Sequence, residues 1–150
     1  ISVDIETAGP IVSEHSMMTI GACLVYNPEI EFSVMLKPIS NKSVAEALEV
    51  TGLTLEQTSK DGITPAKAML QFNEWISKNV QEDYRPVFIG LNAAFDWSFV
   101  NYYFLKYLNK NPFSMDKYLY PTLQGDHDAL HDAKYQAELF RLIYDLSLNK

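Results

Sequence analysis

Two acidic side chains near the start of the chain, Asp4 and Glu6, have the type and spacing to hold a metal ion. They lie in residues 1–7, where apolar side chains at positions 1, 3 and 5 predict a β-strand. Residues two apart in a strand project from the same face, so we expect the two carboxylates to lie side by side. Neighbouring carboxylates repel each other unless a proton or a cation lies between them, and hard cations such as Mg²⁺ prefer oxygen ligands. Two solvated acids at the end of a strand are the alternative.

A third acid, Asp96, follows an apolar run at residues 87–91 that predicts a strand buried on both faces. Asn92 is the predicted N-cap of the next helix, which we expect over residues 93–110. An acid in the first turn of a helix also complements the helix dipole. Taken alone, Asp96 and Asn92 are therefore explained by helix structure.

His127 and Asp132 lie near the start of the last predicted helix, at about residues 126–148. Each is explained by itself as an exposed helix side chain. An imidazole titrates near neutral pH, however, and can take a proton from water. Four carboxylates that converge could bind two Mg²⁺ or Mn²⁺ ions, and two metals about 3.5–4 Å apart can stabilise the attacking and leaving oxygens of a phosphodiester.

The elements that would position these groups follow from the hydrophobic pattern. Strands are predicted at residues 17–26 and 30–36, so that the first three strands form an antiparallel meander, with a turn at Asn27-Pro28 between the second and third. Ser43 is the predicted cap of a short helix, and Pro65 the first residue of a longer one. This order predicts an α/β fold with a central mixed sheet flanked by helices.

Composition limits the function classes. The chain has 150 residues, 47% of them hydrophobic, and we expect one domain over residues 1–150. Its formal net charge is −7, with two arginines and no basic stripe, so a chain end or short oligomer fits better than a long duplex. No apolar run is long enough for a membrane span, and we expect no membrane partner and a cytoplasmic location. Cys23 is the single cysteine and is expected to be buried.

The three acidic segments, in their order along the chain, resemble the motifs of the DEDD superfamily of 3′–5′ exonucleases, which includes proofreading subunits, ribonuclease T and oligoribonuclease. The first motif, Asp-x-Glu, falls on Asp4 and Glu6. The second and third motifs, Asn-x-x-Phe-Asp and His-x-x-x-x-Asp, fall on the following residues: Asn92, Phe95, Asp96, His127 and Asp132. The tyrosine subclass would have Tyr where this chain has Asp128, so the resemblance is to the histidine subclass.

The resemblance implies a ribonuclease H-like fold and release of nucleoside 5′-monophosphates from a 3′ end with two bound Mg²⁺ or Mn²⁺ ions. It implies that Asp4 bridges the metals, that Glu6 and Asp132 hold the nucleophile-side metal, and that Asp96 positions the second. His127 is implied as the general base.

The same resemblance implies a set of substrate-binding residues. The backbone of Thr7 and Ala8 would meet the terminal 3′-hydroxyl, and Phe95 would pack beside the last nucleotide. The stretch that begins with Val50 and Thr51 replaces a Val-His-Gly-Ile stretch of relatives, with Thr in place of His. Asn92 completes the set. The substrate would be single-stranded or short nucleic acid, DNA and RNA are not distinguished, and a homodimer is left open.

Two other functions compete with this one. A catalytically weak relative could serve as a nucleic-acid-binding or polymerase-accessory module, although such copies tend to lose site acids. Alternatively, the acids are structural and the chain is a soluble α/β domain. Of the other histidines, His15 is expected to be mostly solvated and His131 to lie on the surface.

Overall fold

The computed structural model describes residues 1–81 and 83–113. The chain divides into two units, Ile1–Ser114 and Met115–Lys150, and the description concerns the first. The last predicted helix, with His127 and Asp132, lies outside the described residues. The expectation of a single domain over the whole chain stays a prediction.

Three strands among the described residues form an antiparallel meander in the order β1-β2-β3, as predicted. They are β1 at Ser2–Thr7, β2 at Met17–Leu24 and β3 at Asn27–Met35. The turn between β2 and β3 lies at residues 25–26, so the prediction of a turn at Asn27-Pro28 was wrong by two residues. The prediction of an antiparallel first half of the sheet is confirmed.

Burial alternates along β1 as the sequence period requires. Val3, Ile5 and Thr7 are buried, at 2%, 6% and 6% exposure. Asp4 is exposed and Glu6 partly exposed, on the opposite face. The two acids therefore share one face of the strand because the apolar residues between them occupy the core.

The apolar run at residues 87–91 runs parallel to β1 and is held by two backbone hydrogen bonds, Val3 N–H to Ile89 O at 2.8 Å and Ile89 N–H to Ile1 O at 3.0 Å. This parallel pairing gives the sheet its mixed character. The prediction that the run is buried on both faces was wrong within the described residues. Three of its side chains are exposed, at 61% for Val87, 46% for Ile89 and 94% for Leu91. A run of apolar residues is expected to be covered by neighbouring elements. Among the described residues, β1 pairs with one edge of this run.

Four helices follow among the described residues: α1 at Ala45–Thr51, α2 at Leu55–Asp61, α3 at Pro65–Asn79 and α4 at Ala93–Leu108. Pro65 is the first residue of α3, as predicted. Ser43 is not a cap, because α1 begins one residue later, after Val44. Helix α1 ends at Gly52, whose φ of +67° is in the left-handed region that favours glycine.

The core lies between one face of the sheet and the helices α3 and α4. Phe72 of α3 is fully buried, and its ring lies 4.9 Å from that of Phe32 on β3 and 5.6 Å from that of Phe104 on α4. Phe99 and Tyr103 of α4 are also fully buried. Much of the aromatic surface of α4 thus serves the core, and the homodimer stays a prediction.

Two further expectations concern the environment of the chain. Cys23 is partly exposed, on the face of β2 opposite the core, so the expectation of a buried thiol was wrong. Among the described residues, none of the helices combines the length and apolar character that crossing a membrane requires.

Candidate functional site

The first two predicted metal ligands lie on the open face of the sheet. Asp4 pairs with Gly21 of β2 and, one strand further, Gly21 pairs with Ser33 of β3. Because these neighbours are small, nothing bulky on the adjacent strands covers the Asp4 carboxylate. Glu6 follows two residues later at the end of β1, just before a register shift between Glu6 and Thr7.

Asp96 reaches the same strand from α4. It is 4% exposed, and the backbone amides of Asp96 itself and of Ile5 act to lower the pKa of its carboxyl group, so this carboxylate lies close to β1. At Gly90 an added Cβ would lie 3.2 Å from the Val3 carbonyl oxygen, so the glycine allows a close approach of residues 87–91 to β1. The third acid therefore lies beside the strand that carries Asp4 and Glu6.

Two of the three acids have a raised pKa. The pKa of Glu6 is raised by burial and by the charges of Asp4 and Asp96. The pKa of Asp96 is raised by burial and by the charge of Asp4, against the backbone amides of Asp96 and Ile5, which lower it. The groups are therefore close enough to repel each other, and a cation would relieve that repulsion.

The described part of the chain does not complete a metal site. Within residues 1–81 and 83–113, no cluster of three or more acidic, histidine or cysteine side chains is placed tightly enough to hold an ion. The two remaining predicted catalytic residues, His127 and Asp132, lie outside these residues. The structure thus brings together Asp4, Glu6 and Asp96, three of the five predicted catalytic residues, at one end of β1.

A cavity of about 300 Å³ opens beside Glu6 and contains most of the predicted substrate-binding residues. Val50 is 85% exposed on its wall, whereas the Thr51 hydroxyl is engaged, donating to Leu48 O and accepting from Leu53 N. The cavity is a largely apolar slot, with the carboxylates of Glu6 and Glu46 at its edge. Its lining is formed by Ile5, Glu6, Thr7, Glu46, Ala47, Val50, Thr51 and Phe95.

The substrate contacts predicted for Ala8 and Asn92 stay predictions, and the structure shows how each residue is placed. Ala8 is fully buried, and its amide and carbonyl both have protein partners, Ser16 O and Val44 N–H, each at 2.8 Å. Its backbone therefore anchors the fold. Asn92 has φ 56° and ψ 42°, and among the described residues its side chain makes no cap hydrogen bond. The prediction that Asn92 caps α4 was wrong, because the left-handed backbone places it outside normal cap geometry.

Sequence reasoning missed the residues that hold the loop between β1 and β2. His15, expected in solvent, is 8% exposed, and its Nδ1 accepts the amide hydrogen of Ile11 at 3.0 Å. Ser16 Oγ accepts the amide of Ile39 at 2.9 Å, and the Tyr103 hydroxyl accepts that of Met17 at 2.9 Å. The available signal for this buried loop was the polar pair His15 and Ser16 just before the apolar start of β2. The same pattern also occurs in ordinary exposed loops.

The comparisons with known proteins define the class. The exonuclease family model RNase_T matches residues 1–119. The chain belongs to this exonuclease family. The matched residues include Asp4, Glu6 and Asp96, whereas His127 and Asp132 lie beyond them.

One similar protein is the 3′-5′ DNA exonuclease Cap18 of Escherichia coli, which is 49% identical over 175 residues, covering the whole of this chain and 94% of that protein. Solved structures of exonuclease I share the fold. One from Methylocaldum szegediense is 19% identical with a TM-score of 0.59, and covers 75% of this chain and 24% of its own. A metal-free complex of the Escherichia coli enzyme with single-stranded DNA is 17% identical with a TM-score of 0.60 and the same coverage.

The chain spans about a quarter of the exonuclease I chains that it matches. These matches confirm the predicted ribonuclease H-like α/β fold, of the DnaQ-like type. The RNase_T family model and the similarity to Cap18 confirm, at the level of the family, the prediction that the chain is a 3′–5′ exonuclease.

Proposed function

We propose that the chain removes nucleoside 5′-monophosphates from the 3′ end of single-stranded DNA in a reaction that depends on divalent metal ions. The observation that carries this proposal is the convergence of Asp4, Glu6 and Asp96 at the end of β1 in a member of the exonuclease family. DNA is favoured over RNA because Cap18 is a DNA exonuclease and exonuclease I has been solved with single-stranded DNA. The acidic charge of −7 supports a short contact with a strand end.

The donor set fits two Mg²⁺ or Mn²⁺ ions. Carboxylate oxygens suit these hard cations, and Asp4, Glu6 and Asp96 would hold them together with Asp132. Metals bound there would stabilise the charge that develops on the attacking and leaving oxygens. A further support is the raised pKa of Glu6 and Asp96, since acids that repel each other are ready to accept a cation. A protein of the same fold, Escherichia coli exonuclease I, has also been solved with a bound zinc ion in complex with single-stranded DNA.

The proposed general base is His127. A histidine five residues before the last acid can take a proton from water at neutral pH. In the proposed reaction, His127 takes a proton from water. The resulting hydroxide attacks the phosphorus of the terminal phosphodiester, and the bond to the 3′ oxygen of the preceding nucleotide breaks to release a nucleoside 5′-monophosphate. The supporting observation is the His127 and Asp132 spacing in a chain that is 49% identical to Cap18 over its whole length.

The cavity beside Glu6 is the proposed site of the terminal nucleotide. Phe95 and Val50 offer an aromatic ring and an exposed apolar side chain on its lining, and bases stack well on aromatic rings. Thr7 closes the cavity at the end of β1. The Thr51 hydroxyl is held by the end of α1, so its contribution is to shape the wall.

A paired digestion tests this function. Single-stranded DNA and RNA of equal sequence, labelled at the 5′ end, are incubated with Mn²⁺ or with EDTA. Variants Asp4→Ala and His127→Ala are compared with Glu29→Gln, which removes an exposed acid on β3 as a matched control. We expect a metal-dependent ladder that shortens from the 3′ end of DNA, lost in the first two variants and retained in the control.

The outcomes separate the candidates. Faster shortening of RNA would reassign the substrate while keeping the mechanism. Binding of the oligonucleotide without any shortening, by folded wild-type protein with metal present, would reject the exonuclease and favour a binding module.

A further inference from the structure

The loop between β1 and β2, residues 8–16, is built around the imidazole ring of His15. The amide hydrogens of Glu14 and His15 both reach Ile11 O, at 3.0 and 2.8 Å, and Ile11 N–H donates to His15 Nδ1. The ring faces Gly9, where an added Cβ would lie 2.7 Å from two ring carbons. Gly9 also has a φ of +156°, in the region that favours glycine. Gly9 and His15 therefore form one interlocked unit.

This loop is tied to the segment that precedes α1. The Ala8 carbonyl accepts the amide of Val44, one residue before the helix begins. Ser16, next to His15, accepts amide hydrogens from Ile39 and Ser40 through its hydroxyl. A conformational change in the loop would thus be transmitted directly to the start of α1.

Helix α1 lies against β1. It has seven residues, all of them described, and none is buried. Helices of this length are unstable alone and depend on their contacts. Yet α1 supplies one wall of the cavity beside Glu6, including Ala47 and Val50, opposite Phe95.

We propose that His15 is a positioning residue for the substrate. It holds the loop in the form that seats α1, and so sets the width of the slot for the terminal nucleotide. This inference rests on the proposed function of that cavity. Among the described residues, His15 makes no hydrogen bond to a predicted catalytic group, so its loss should weaken substrate binding more than it slows the chemical step.

Three substitutions separate the two contributions of the ring. His15→Asn keeps an acceptor near the position of Nδ1, His15→Phe keeps the ring without the acceptor, and His15→Ala removes both. In digestion of single-stranded DNA at saturating Mn²⁺, we expect KM to rise about tenfold for His15→Ala with kcat within about twofold. Asn should restore KM to within about threefold, whereas Phe should restore less.

Ile76→Val in α3 is the control for a purely structural effect. It removes one methylene from a core side chain that is 2% exposed, far along the chain from the loop. It should lower the melting temperature and leave KM unchanged. If His15→Ala does not fold, the comparison of His15→Asn and His15→Phe with Ile76→Val carries the same test.

Hydrogen exchange of backbone amides tests the proposed link between the His15 loop and α1, and it does not require enzymatic activity. The amides of Val44 and Leu48, bonded to Ala8 O and Val44 O, should exchange faster in His15→Phe, while amides of α3 should not. If wild-type protein shortens DNA but the His15 variants have unchanged KM, or if exchange at Val44 is unaffected, the inference is overturned. Failure of the wild type to shorten DNA would instead reject the function, and the exchange result would still decide whether His15 seats α1.

Discussion

Two adjoining regions of the molecule handle their polar groups in opposite ways. At the end of β1, the carboxylates of Asp4, Glu6 and Asp96 repel one another, and two of them have a raised pKa. A few residues further on, every buried polar group of the loop has a partner, as with Ser16 and its three hydrogen bonds. In the proposed function a cation would relieve the repulsion in the first region, whereas the hydrogen bonds of the second are already made within the protein.

The largest expected effect comes from removing one charge at the reactive end. Asp4→Asn should lower the rate of 3′-end digestion by roughly 10³-fold or more, because Asp4 is one of the carboxylates proposed to hold the metal ions. Asp4 is exposed, so the free energy of unfolding should change by less than about 1 kcal/mol. Single-turnover digestion and urea unfolding measure the two quantities. A large loss of stability would mean that Asp4 belongs to the scaffold.

Ser16→Ala tests the other region and should give the reverse result. Ser16 is fully buried, and its loss leaves the amides of Ile39 and Ser40 without their acceptor. Such a loss costs about 2 kcal/mol. Ser13→Ala, at an exposed position of the same loop, is the matched control. Equal urea midpoints for the two variants would show that the loop is less ordered than its hydrogen bonds indicate.

Glu6→Gln sharpens the comparison through pH. The raised pKa means that protonated Glu6 stabilises the folded protein. This stabilisation is fully present below the ordinary pKa of 4.5 and is lost as pH rises through the raised value. In EDTA at pH 7, the variant should therefore melt above wild type, by a small margin because Glu6 is partly exposed and solvent screens the repulsion. The gain should vanish near pH 4 and reverse when Mn²⁺ stabilises wild type. A pH-independent difference would contradict this explanation.

The smallest expected effect concerns the surface contact that joins the loop to the segment before α1. Lys42 Nζ lies 2.6 Å from Glu14 Oε2, and the two side chains are 64% and 44% exposed. The hydrogen bond and the charge of Lys42 lower the pKa of Glu14. Lys42→Ala should leave the urea midpoint almost unchanged, and the small difference should shrink further in high salt because both side chains are screened by solvent. An effect as large as that of Ser16→Ala would show that this pair is shielded from solvent.

Local sequence patterns predicted those parts of the molecule that depend on near neighbours. The shared face of Asp4 and Glu6 follows from the period of a strand, and Pro65 marks the start of α3 because its missing amide is tolerated there. The order of the three site segments along the chain indicated the exonuclease family. These features need no knowledge of distant contacts.

The errors arose where distant contacts decide. His15 was placed in solvent, since no local pattern shows that Gly9 would lie against its ring. The exposure of the run 87–91 likewise depends on which elements flank it. The approach of Asp96 to the Ile5 amide could not be derived from spacing either, because it joins residues 91 positions apart.

The most direct test of the account is to locate the metal. Crystals soaked in Mn²⁺ with a nucleoside 5′-monophosphate would be examined by anomalous scattering. The account predicts Mn²⁺ within coordination distance of Asp4 and Glu6, about 2.0–2.2 Å for carboxylate oxygens, with Asp132 completing the site and the nucleotide in the slot beside Phe95. Crystals that diffract well but show no metal at Asp4 would contradict it, and the three acids would then be structural.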